Sequence, residues 1–405
     1  MRLWEVFGAT MHLLQLLGLC LLVMTVSCAT QQPAYSRAPA GAQDLRAAAR
    51  SAGFRVVSIE TNIPAAVRPA YPFQPLAYDD SLLREIRTRY ELEKVVAPGR
   101  DEWERQCLLK HWIRERVPNG TPTQPGENAI EVLDNAARGA KYWCSYYGLT
   151  YMQCAQALGW SARKLGIDRL NDKNGLGSRH HGVSEVWSNQ FRKWVVIDCQ
   201  SDLHYEKDGV PLSGWEIRGE WLKNKGADVQ RVVGAPIKRE LKNPAICWWD
   251  LKQEDETAVY FWIYYADSAR NWEEELPTRF IFPQDSANAG HTWYQGGTGR
   301  EKLHWGYEKK LFLSSQDPAA FGWTVGVVEA KVNSAGPQGM TLTLDSYCPN
   351  LIGYEANLDG AGWKPVQAMP LSWSLHTGTN SLRIRTVSAG EVRGPEFSVR
   401  MELSK

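Results

Sequence analysis

The sequence predicts an α+β protein in which helices come first and strands dominate the later part of the chain. Between about residues 78 and 160, apolar residues recur three and four positions apart, which is the period of an α-helix. From about residue 181 onward, short runs rich in alternating, β-branched and aromatic residues are separated by Gly, Asn and Pro. The 405 residues exceed the usual size of one domain, so we expect more than one hydrophobic core.

The first 28 residues predict an export signal. The apolar run LLQLLGLCLLVMTV has the length of a signal-peptide core and is too short for a typical membrane span. The stretch TVSC, which ends at Cys28, resembles a bacterial lipoprotein processing site, and this resemblance implies that Cys28 is acylated. It implies a protein of the bacterial cell envelope, on the periplasmic side or at the outer membrane, that contacts the membrane through a lipid anchor. Plain secretion and an uncleaved anchor are the alternatives.

The composition argues against two classes of function. The 46 Lys and Arg residues balance 45 Asp and Glu residues, so we expect no nucleic-acid partner. The eight cysteines include no CxxC pair and no Cys/His cluster at zinc spacing, so we expect no metal and no cofactor. The 18 tryptophans indicate either aromatic cores, which we favour, or exposed platforms for sugars or peptides.

The helical part predicts two helices between about Tyr78 and Val117, separated by Pro98 and Gly99. A loop rich in Pro, Gly and Asn follows over residues 118–128, and then a short helix-like stretch, AIEVLDNAARG. These elements lead directly into a segment that is dense in aromatic residues and contains two cysteines.

That segment, CSYYGLTYMQCAQALGWSAR, predicts a helix that begins near Cys144 and ends at Gly159. A thiol on the first turn lies at the positive end of the helix dipole, where free backbone N–H groups stabilise the thiolate. Cys144 is therefore a candidate nucleophile. Cys154 lies further along the apolar stripe, and we interpret it as a core residue.

The stretch HHGVSEVWSNQFRKWVVIDCQ predicts a β-hairpin whose turn lies at Asn189 and Gln190. With this centre, His181 lies directly opposite Asp198, at about 5 Å between Cβ atoms. This register is an assumption, because a slip of one residue would bring His180 into play. An aspartate opposite a histidine orients the imidazole and stabilises its charged form. A helix-borne thiol followed by such a pair is the layout of a thiol nucleophile with its base.

The same residues resemble the transglutaminase-like superfamily. In the cysteine motif of that family, a Gly and an Arg follow the nucleophile by fifteen and nineteen residues, and here these are Gly159 and Arg163. HGVSEV resembles the family's histidine strand, and KWVVIDCQ resembles its aspartate strand. The resemblance covers roughly residues 100–205.

The resemblance implies a papain-like fold with Cys144 as nucleophile, His181 as general base and acid, and Asp198 as the orienting carboxylate. It implies a peptide, protein or glycopeptide substrate, and we expect hydrolysis of a peptide or amide bond rather than cross-linking. The alternatives are a catalytically silent, Trp-rich protein that binds glycan or cell wall, and a peptide N-glycanase-like amidase. Trp143 and Trp187 are candidate substrate-binding residues, with core packing as the alternative for each.

The β-rich remainder predicts accessory modules. Several alternating runs between about residues 322 and 405 suit a β-sandwich, and LHTGTNSLRIRTV resembles a late strand of immunoglobulin-like or fibronectin-like modules. The predicted boundaries are a signal peptide at 1–28, a flexible linker at 29–50, a catalytic domain at 51–235, a β-rich middle region at 236–320 and a β-sandwich at 321–405.

Overall fold

The chain forms an α+β fold with several antiparallel sheets, the class that the sequence predicts. The computed structural model describes residues 41–169, 180–234, 257–270, 279–287 and 311–405. The predicted signal peptide, with Cys28, lies outside these residues. Within them, no helix is both long enough and apolar enough to cross a membrane.

The elements alternate irregularly between helix and strand in the first half and are almost all strands in the second. The helices are α1 (Ala42–Ser51), α2 (Ser81–Arg89), α3 (Leu92–Val96), α4 (Glu102–Arg116), α5 (Ala129–Ala137), α6 (Cys144–Ala157) and α7 (Gly214–Asn224). The strands are β1 (Arg55–Asn62), β2 (Ala162–Asp168), β3 (His181–Ser188), β4 (Lys193–Ile197), β5 (Leu203–Lys207), β6 (Val210–Pro211), β7 (Gln230–Val233), β8 (Trp262–Ala266), β9 (Arg279–Pro283), β10 (Leu311–Ser315), β11 (Glu329–Gly336), β12 (Gly339–Asp345), β13 (Leu351–Leu358), β14 (Lys364–Pro365), β15 (Leu371–Trp373), β16 (Gly378–Ser388), β17 (Val392–Arg393) and β18 (Phe397–Ser404).

Between Tyr78 and Val117 the structure has three helices, α2 to α4, where the apolar spacing predicts two. Asp80 starts α2 by accepting the Leu82 N–H at 2.9 Å, and Asp101 starts α4 by accepting the Glu104 N–H at 2.9 Å. Glu91 has a left-handed φ of 46° and separates α2 from α3. Glutamate is not a residue that usually adopts this conformation, so the sequence gives no sign of the break.

The α6 helix lies against a six-stranded sheet with the order β10-β9-β8-β2-β3-β4. Its neighbours are antiparallel except for the parallel pair β9 and β10. Strands β8, β9 and β10 come from residues 257–315, so this sheet continues across the predicted boundary at residue 235. The reason is that all five residues of β8 are buried, which requires neighbouring strands and packing on both faces.

A second group of strands encloses its own apolar core near the end of the chain. One sheet has the order β1-β18-β16-β13-β14, with β17 paired to β16, and the other has the order β11-β12-β15. Both sheets contribute to one buried cluster, for example through Leu342 of β12 and Ile384 of β16. The alternation of exposed and buried residues in β18 agrees with the predicted period of two.

Residues 42–62 belong to this second core. β1 pairs antiparallel with β18. The α1 helix covers the core and contributes the fully buried Leu45 and Ala49 to it. Residues 42–50 of the predicted linker at 29–50 are therefore helical, and β1, which follows the predicted start of the catalytic domain at residue 51, pairs with the last strand of the chain. The apolar face of α1 consists mainly of alanines, which give a weak hydrophobic signal in the sequence.

Three tryptophans of the described residues are almost completely buried in the cores. Trp194, Trp323 and Trp373 are each no more than 2% exposed. The rings of Trp194 and Trp323 lie 4.5 Å apart in an edge arrangement, and Trp194 Nε1 donates to Trp323 O at 2.8 Å. None of the described tryptophans is among the largely exposed apolar side chains, which agrees with the core interpretation of their number.

Candidate active site

The structure brings Cys144, His181 and Asp198 together. His181 Nε2 lies 2.9 Å from Asp198 Oδ2, and both side chains are buried. Cys144 is partly exposed, and its thiol is hydrogen-bonded to the His181 side chain. Since Nε2 of the imidazole is engaged by the carboxylate, Nδ1 is the nitrogen that faces the sulfur. The three side chains thus form a continuous chain from a partly exposed thiol to a buried carboxylate.

Cys144 is the first residue of α6. The preceding Trp143 is the N-cap, and its side chain makes no capping hydrogen bond. The backbone N–H groups of the first helical turn are therefore not capped by that side chain, and the partial positive charge of the helix end lies beside the sulfur. This position favours the thiolate and supplies the Cys144 N–H as one donor for an oxyanion.

Two glycines allow α6 to lie directly on β3. A Cβ on Gly182 would lie 3.2 Å from Ser145 Cα, and a Cβ on Gly148 would lie 3.1 Å from Val183 O. Ser184 Oγ donates to Gly148 O at 2.8 Å and so ties the helix to the strand. These small residues hold the thiol-bearing end of the helix against the strand that begins with the histidine.

The turn after β4 positions Asp198. Its backbone N–H and C=O exchange hydrogen bonds with Leu203, at 3.0 and 2.9 Å. Its second carboxylate oxygen, Oδ1, accepts the Ser201 N–H at 3.1 Å. One oxygen therefore faces the imidazole while the other is bound by the turn, which fixes the orientation of the carboxylate.

The hairpin register differs from the predicted one by two residues. The turn contains four residues, 189–192, instead of two, and Arg192 adopts a left-handed φ of 57°. In the resulting ladder Trp187 lies opposite Trp194, so His181 and Asp198 are not a directly opposed pair. A shift of two residues keeps each side chain on its predicted face, which is why the contact survives.

The surroundings of Cys144 lower the pKa of its thiol. Desolvation opposes ionisation, but the hydrogen bond and charge of His181 outweigh it, together with the Gly182 N–H and the charge of Lys164. Lys164, on β2, was not singled out by the sequence analysis. Lys164 follows Arg163 in the strand ARKLGID, and this sequence gives no sign that the lysine side chain acts on the thiol.

The imidazole and the carboxylate shift each other in opposite directions. Desolvation lowers the pKa of His181, but the charge and hydrogen bond of Asp198 and the hydrogen bond with Cys144 outweigh it and raise the pKa to about 10. Desolvation raises the pKa of Asp198, but the charge and hydrogen bond of His181 and the Ser201 N–H outweigh it, so the pKa lies below its usual value. The geometry thus favours a thiolate, imidazolium and carboxylate together.

The other described cysteines lack this environment. Burial raises the pKa of Cys107 to about 12 and that of Cys348 to about 11, and it also raises the pKa of Cys154 and Cys199. None of these four is in a disulfide, and all but the partly exposed Cys348 are buried. Cys154 is the core residue that the apolar stripe predicts.

Of the two spacing residues of the cysteine motif, Arg163 is buried and Gly159 is partly exposed. Gly159 has a φ of +83° and follows α6, as a helix-ending glycine does. Arg163 forms a buried ion pair with Glu185 across β2 and β3, with Nε 2.7 Å from Oε2. Its guanidinium also lies over the Trp194 and Tyr265 rings, at 4.2 and 4.5 Å. Arg163 therefore braces the sheet under the site, and Gly159 ends the helix that carries the thiol.

The two tryptophans predicted to bind substrate have different locations. Trp187 is only 3% exposed, lies 5.9 Å from the Trp194 ring, and donates from Nε1 to Asn189 Oδ1 at 2.9 Å. Core packing, the alternative interpretation, describes it. Trp143 is partly exposed and directly precedes Cys144, so it stays the candidate for contact with substrate.

A second polar pair, Asp168 and His180, lies next to His181 and was not predicted from the sequence. Asp168 on β2 is 2% exposed, its Oδ2 has no hydrogen-bond partner among the described residues, and burial raises its pKa to about 7. His180 Nδ1 lies 3.9 Å from Asp168 Oδ2, and burial lowers the pKa of His180 to about 4. His180 therefore is not the base that a slipped hairpin would have placed against Asp198.

Comparisons with protein-family models and with curated proteins found no match for this chain. The geometry of the site and the resemblance of its three motifs are therefore the basis for assigning a function.

Proposed function

We propose that this protein is a thiol enzyme of the transglutaminase-like type, which transfers an acyl group through a thioester on Cys144. The observation that supports it is the partly exposed thiol at a helix N-terminus, hydrogen-bonded to an imidazole that a buried carboxylate holds at 2.9 Å. We propose a papain-like core for residues around α6 and β2 to β4, with an immunoglobulin-like module formed by the later strands.

The first half of the reaction follows from the charges. The Cys144 thiolate attacks the carbonyl carbon of a peptide or amide, and the carbonyl oxygen becomes an oxyanion beside the Cys144 N–H. The His181 imidazolium gives its Nδ1 proton to the nitrogen of the leaving amine, the C–N bond breaks, and a thioester remains. Asp198 stabilises the imidazolium and holds Nδ1 towards the sulfur.

The second half reverses the proton transfer. Neutral His181 takes a proton from water, and the resulting hydroxide attacks the thioester carbonyl. The C–S bond breaks, the carboxylic acid product leaves, and Cys144 and His181 return to thiolate and imidazolium. An amine in place of water would give transamidation. We propose hydrolysis on the analogy with the family, at the cell envelope and with a lipid anchor at Cys28.

A labelling experiment tests the proposal without knowledge of the substrate. The purified protein is treated with a limiting amount of iodoacetamide at pH 7, and the labelled peptides are quantified by mass spectrometry. We expect Cys144 to react at least tenfold faster than Cys107 or Cys154, because alkylation requires a thiolate. Equal rates at the three cysteines would refute the proposal.

A matched activity measurement accompanies it. Hydrolysis of casein peptides and of p-nitrophenyl esters is compared between the wild type and Cys144→Ser, with Cys154→Ser as the control for loss of a thiol from the same helix. We expect the first variant to lose turnover and the second to keep it. Turnover that survives Cys144→Ser would refute the role of the thiol.

A further inference from the structure

A cluster of buried charged residues lies behind the turn that contains Asp198. Asp202 is 0% exposed, and its carboxylate Oδ2 accepts a hydrogen bond from His111 Nδ1 at 2.8 Å. Lys110 is also 0% exposed, and its Nζ lies 3.6 Å from Asp202 Oδ1. Both basic residues come from α4, so this helix is joined to the turn by a buried ionic contact.

The backbone of the turn is fixed by the same residues. Asp202 has a left-handed φ of 50°, and its carbonyl accepts the Gly234 N–H at 2.7 Å. The Lys110 ammonium donates to Gly234 O at 2.9 Å, so Gly234 is hydrogen-bonded to both Lys110 and Asp202. An aspartate in this backbone conformation is held there by the surroundings that bind its side chain and carbonyl.

This turn determines the position of the triad carboxylate. Ser201, the residue before Asp202, donates its N–H to Asp198 Oδ1 at 3.1 Å. Leu203, the residue after Asp202, exchanges two backbone hydrogen bonds with Asp198. A rotation of the peptide units around Asp202 would therefore move both of the contacts that orient the carboxylate.

We propose that Lys110, His111 and Asp202 are positioning residues of the triad. They hold the turn of residues 198–203 in the one conformation that presents Asp198 to His181, and through it they maintain the charged form of the imidazole. The inference rests on the proposed thiol chemistry, since it assigns these residues an effect on the reactivity of Cys144.

Four other titratable groups face the network. They are Cys107 on α4, Cys199 in the turn, and His204 and Glu206 on β5, and the charge of Lys110 acts on each of them. His204 Nε2 is bonded to Glu206 Oε1 at 2.8 Å and makes no hydrogen bond to the turn of residues 198–203. It is a buried histidine of the same cluster that lies outside the proposed path, and so it provides a control.

The test is the pH profile of Cys144 alkylation in the full-length protein. His111→Phe removes the donor to Asp202 and should raise the apparent pKa of the thiol by about one unit, which is on the order of a tenfold loss of rate at pH 7. His111→Asn keeps a donor near the place of Nδ1 and should restore most of the rate. His204→Gln should leave the profile unchanged. A structural role alone would lower the melting temperature without moving the profile.

A double variant tests whether the effect passes through the carboxylate. If His111 acts through Asp198, then His111→Phe combined with Asp198→Asn should react no more slowly than Asp198→Asn alone. If His111→Phe does not fold, Lys110→Met with Asp202→Asn removes both buried charges together and should give the same upward shift. A folded variant of either kind with the wild-type profile would overturn the inference. A wild-type Cys144 that is no more reactive than Cys107 would instead refute the thiol chemistry itself.

Discussion

The contact between Gly182 and the start of α6 gives the sharpest structural prediction. A Cβ at this position would lie 3.2 Å from Ser145 Cα, 3.4 Å from Ser145 N and 3.6 Å from Cys144 C. These are backbone atoms, so no flexible side chain can turn aside, and the end of the helix must retreat by a few tenths of an ångström. The retreat moves the thiol away from the imidazole and from the Gly182 N–H.

The magnitude follows from the sensitivity of catalysis to position. A displacement of about 1 Å costs roughly a hundredfold in rate, so a shift of a few tenths should cost about three- to tenfold. Overpacking also destabilises a protein by about 1–3 kcal/mol. We therefore expect Gly182→Ala to fold with a lower urea midpoint and to alkylate Cys144 about three- to tenfold more slowly at pH 7.

Gly219→Ala in α7 is the matched control. No atom lies within 4 Å of the position of its Cβ, and alanine in a helix is more stable than glycine by about 0.5–1 kcal/mol. This variant should gain stability and keep the alkylation rate of Cys144. If Gly182→Ala and Gly219→Ala alkylate at the same rate, the tight contact between α6 and β3 does not position the thiol.

The remaining predictions concern charge. Asp198→Asn removes the charge that raises the pKa of His181, so the pKa of Cys144 should rise and alkylation at pH 7 should fall about tenfold or more; an unchanged rate would contradict the triad. Turnover of casein peptides by the wild type should fall as the pH rises through about 10, because the imidazolium that protonates the leaving amine is lost there, and Asp198→Asn should move this alkaline limb to lower pH. Glu185→Gln leaves Arg163 as an uncompensated buried charge and should lower the free energy of unfolding by about 3–5 kcal/mol in urea; a loss below about 1 kcal/mol would contradict the bracing role.

The sequence predicts the chemistry of the site better than its geometry. The start of α6 at Cys144 and the side of the hairpin that bears His181 follow from periodicity, because spacing alone determines which face a residue occupies. The hairpin register depends on a four-residue turn with Arg192 in the left-handed region, and arginine gives no sign of that conformation. A difference of two residues preserved the face, so the contact with Asp198 could be predicted although the pairing was wrong.

The pairing of distant strands, in contrast, could not be predicted from the sequence. The aromatic run around residues 262–266 indicates a β-strand, but neither it nor residues 55–62 contain information about which strand each will pair with. Residues 55–62 pair with β18, at the far end of the chain, and residues 262–266 join the sheet beneath α6. The Lys110, His111 and Asp202 cluster was missed for the same reason, since its members are close only after folding.

The most direct test of the account is to find the acyl group on the thiol. The protein is incubated with p-nitrophenyl acetate, quenched in acid, digested, and analysed by mass spectrometry for acetylated peptides. We predict that the acetyl group is on Cys144, that hydroxylamine removes it because it is a thioester, and that it does not accumulate in His181→Gln. Acetylation that occurs elsewhere in the chain, or that forms on Cys144 at the same rate without the imidazole, would contradict it.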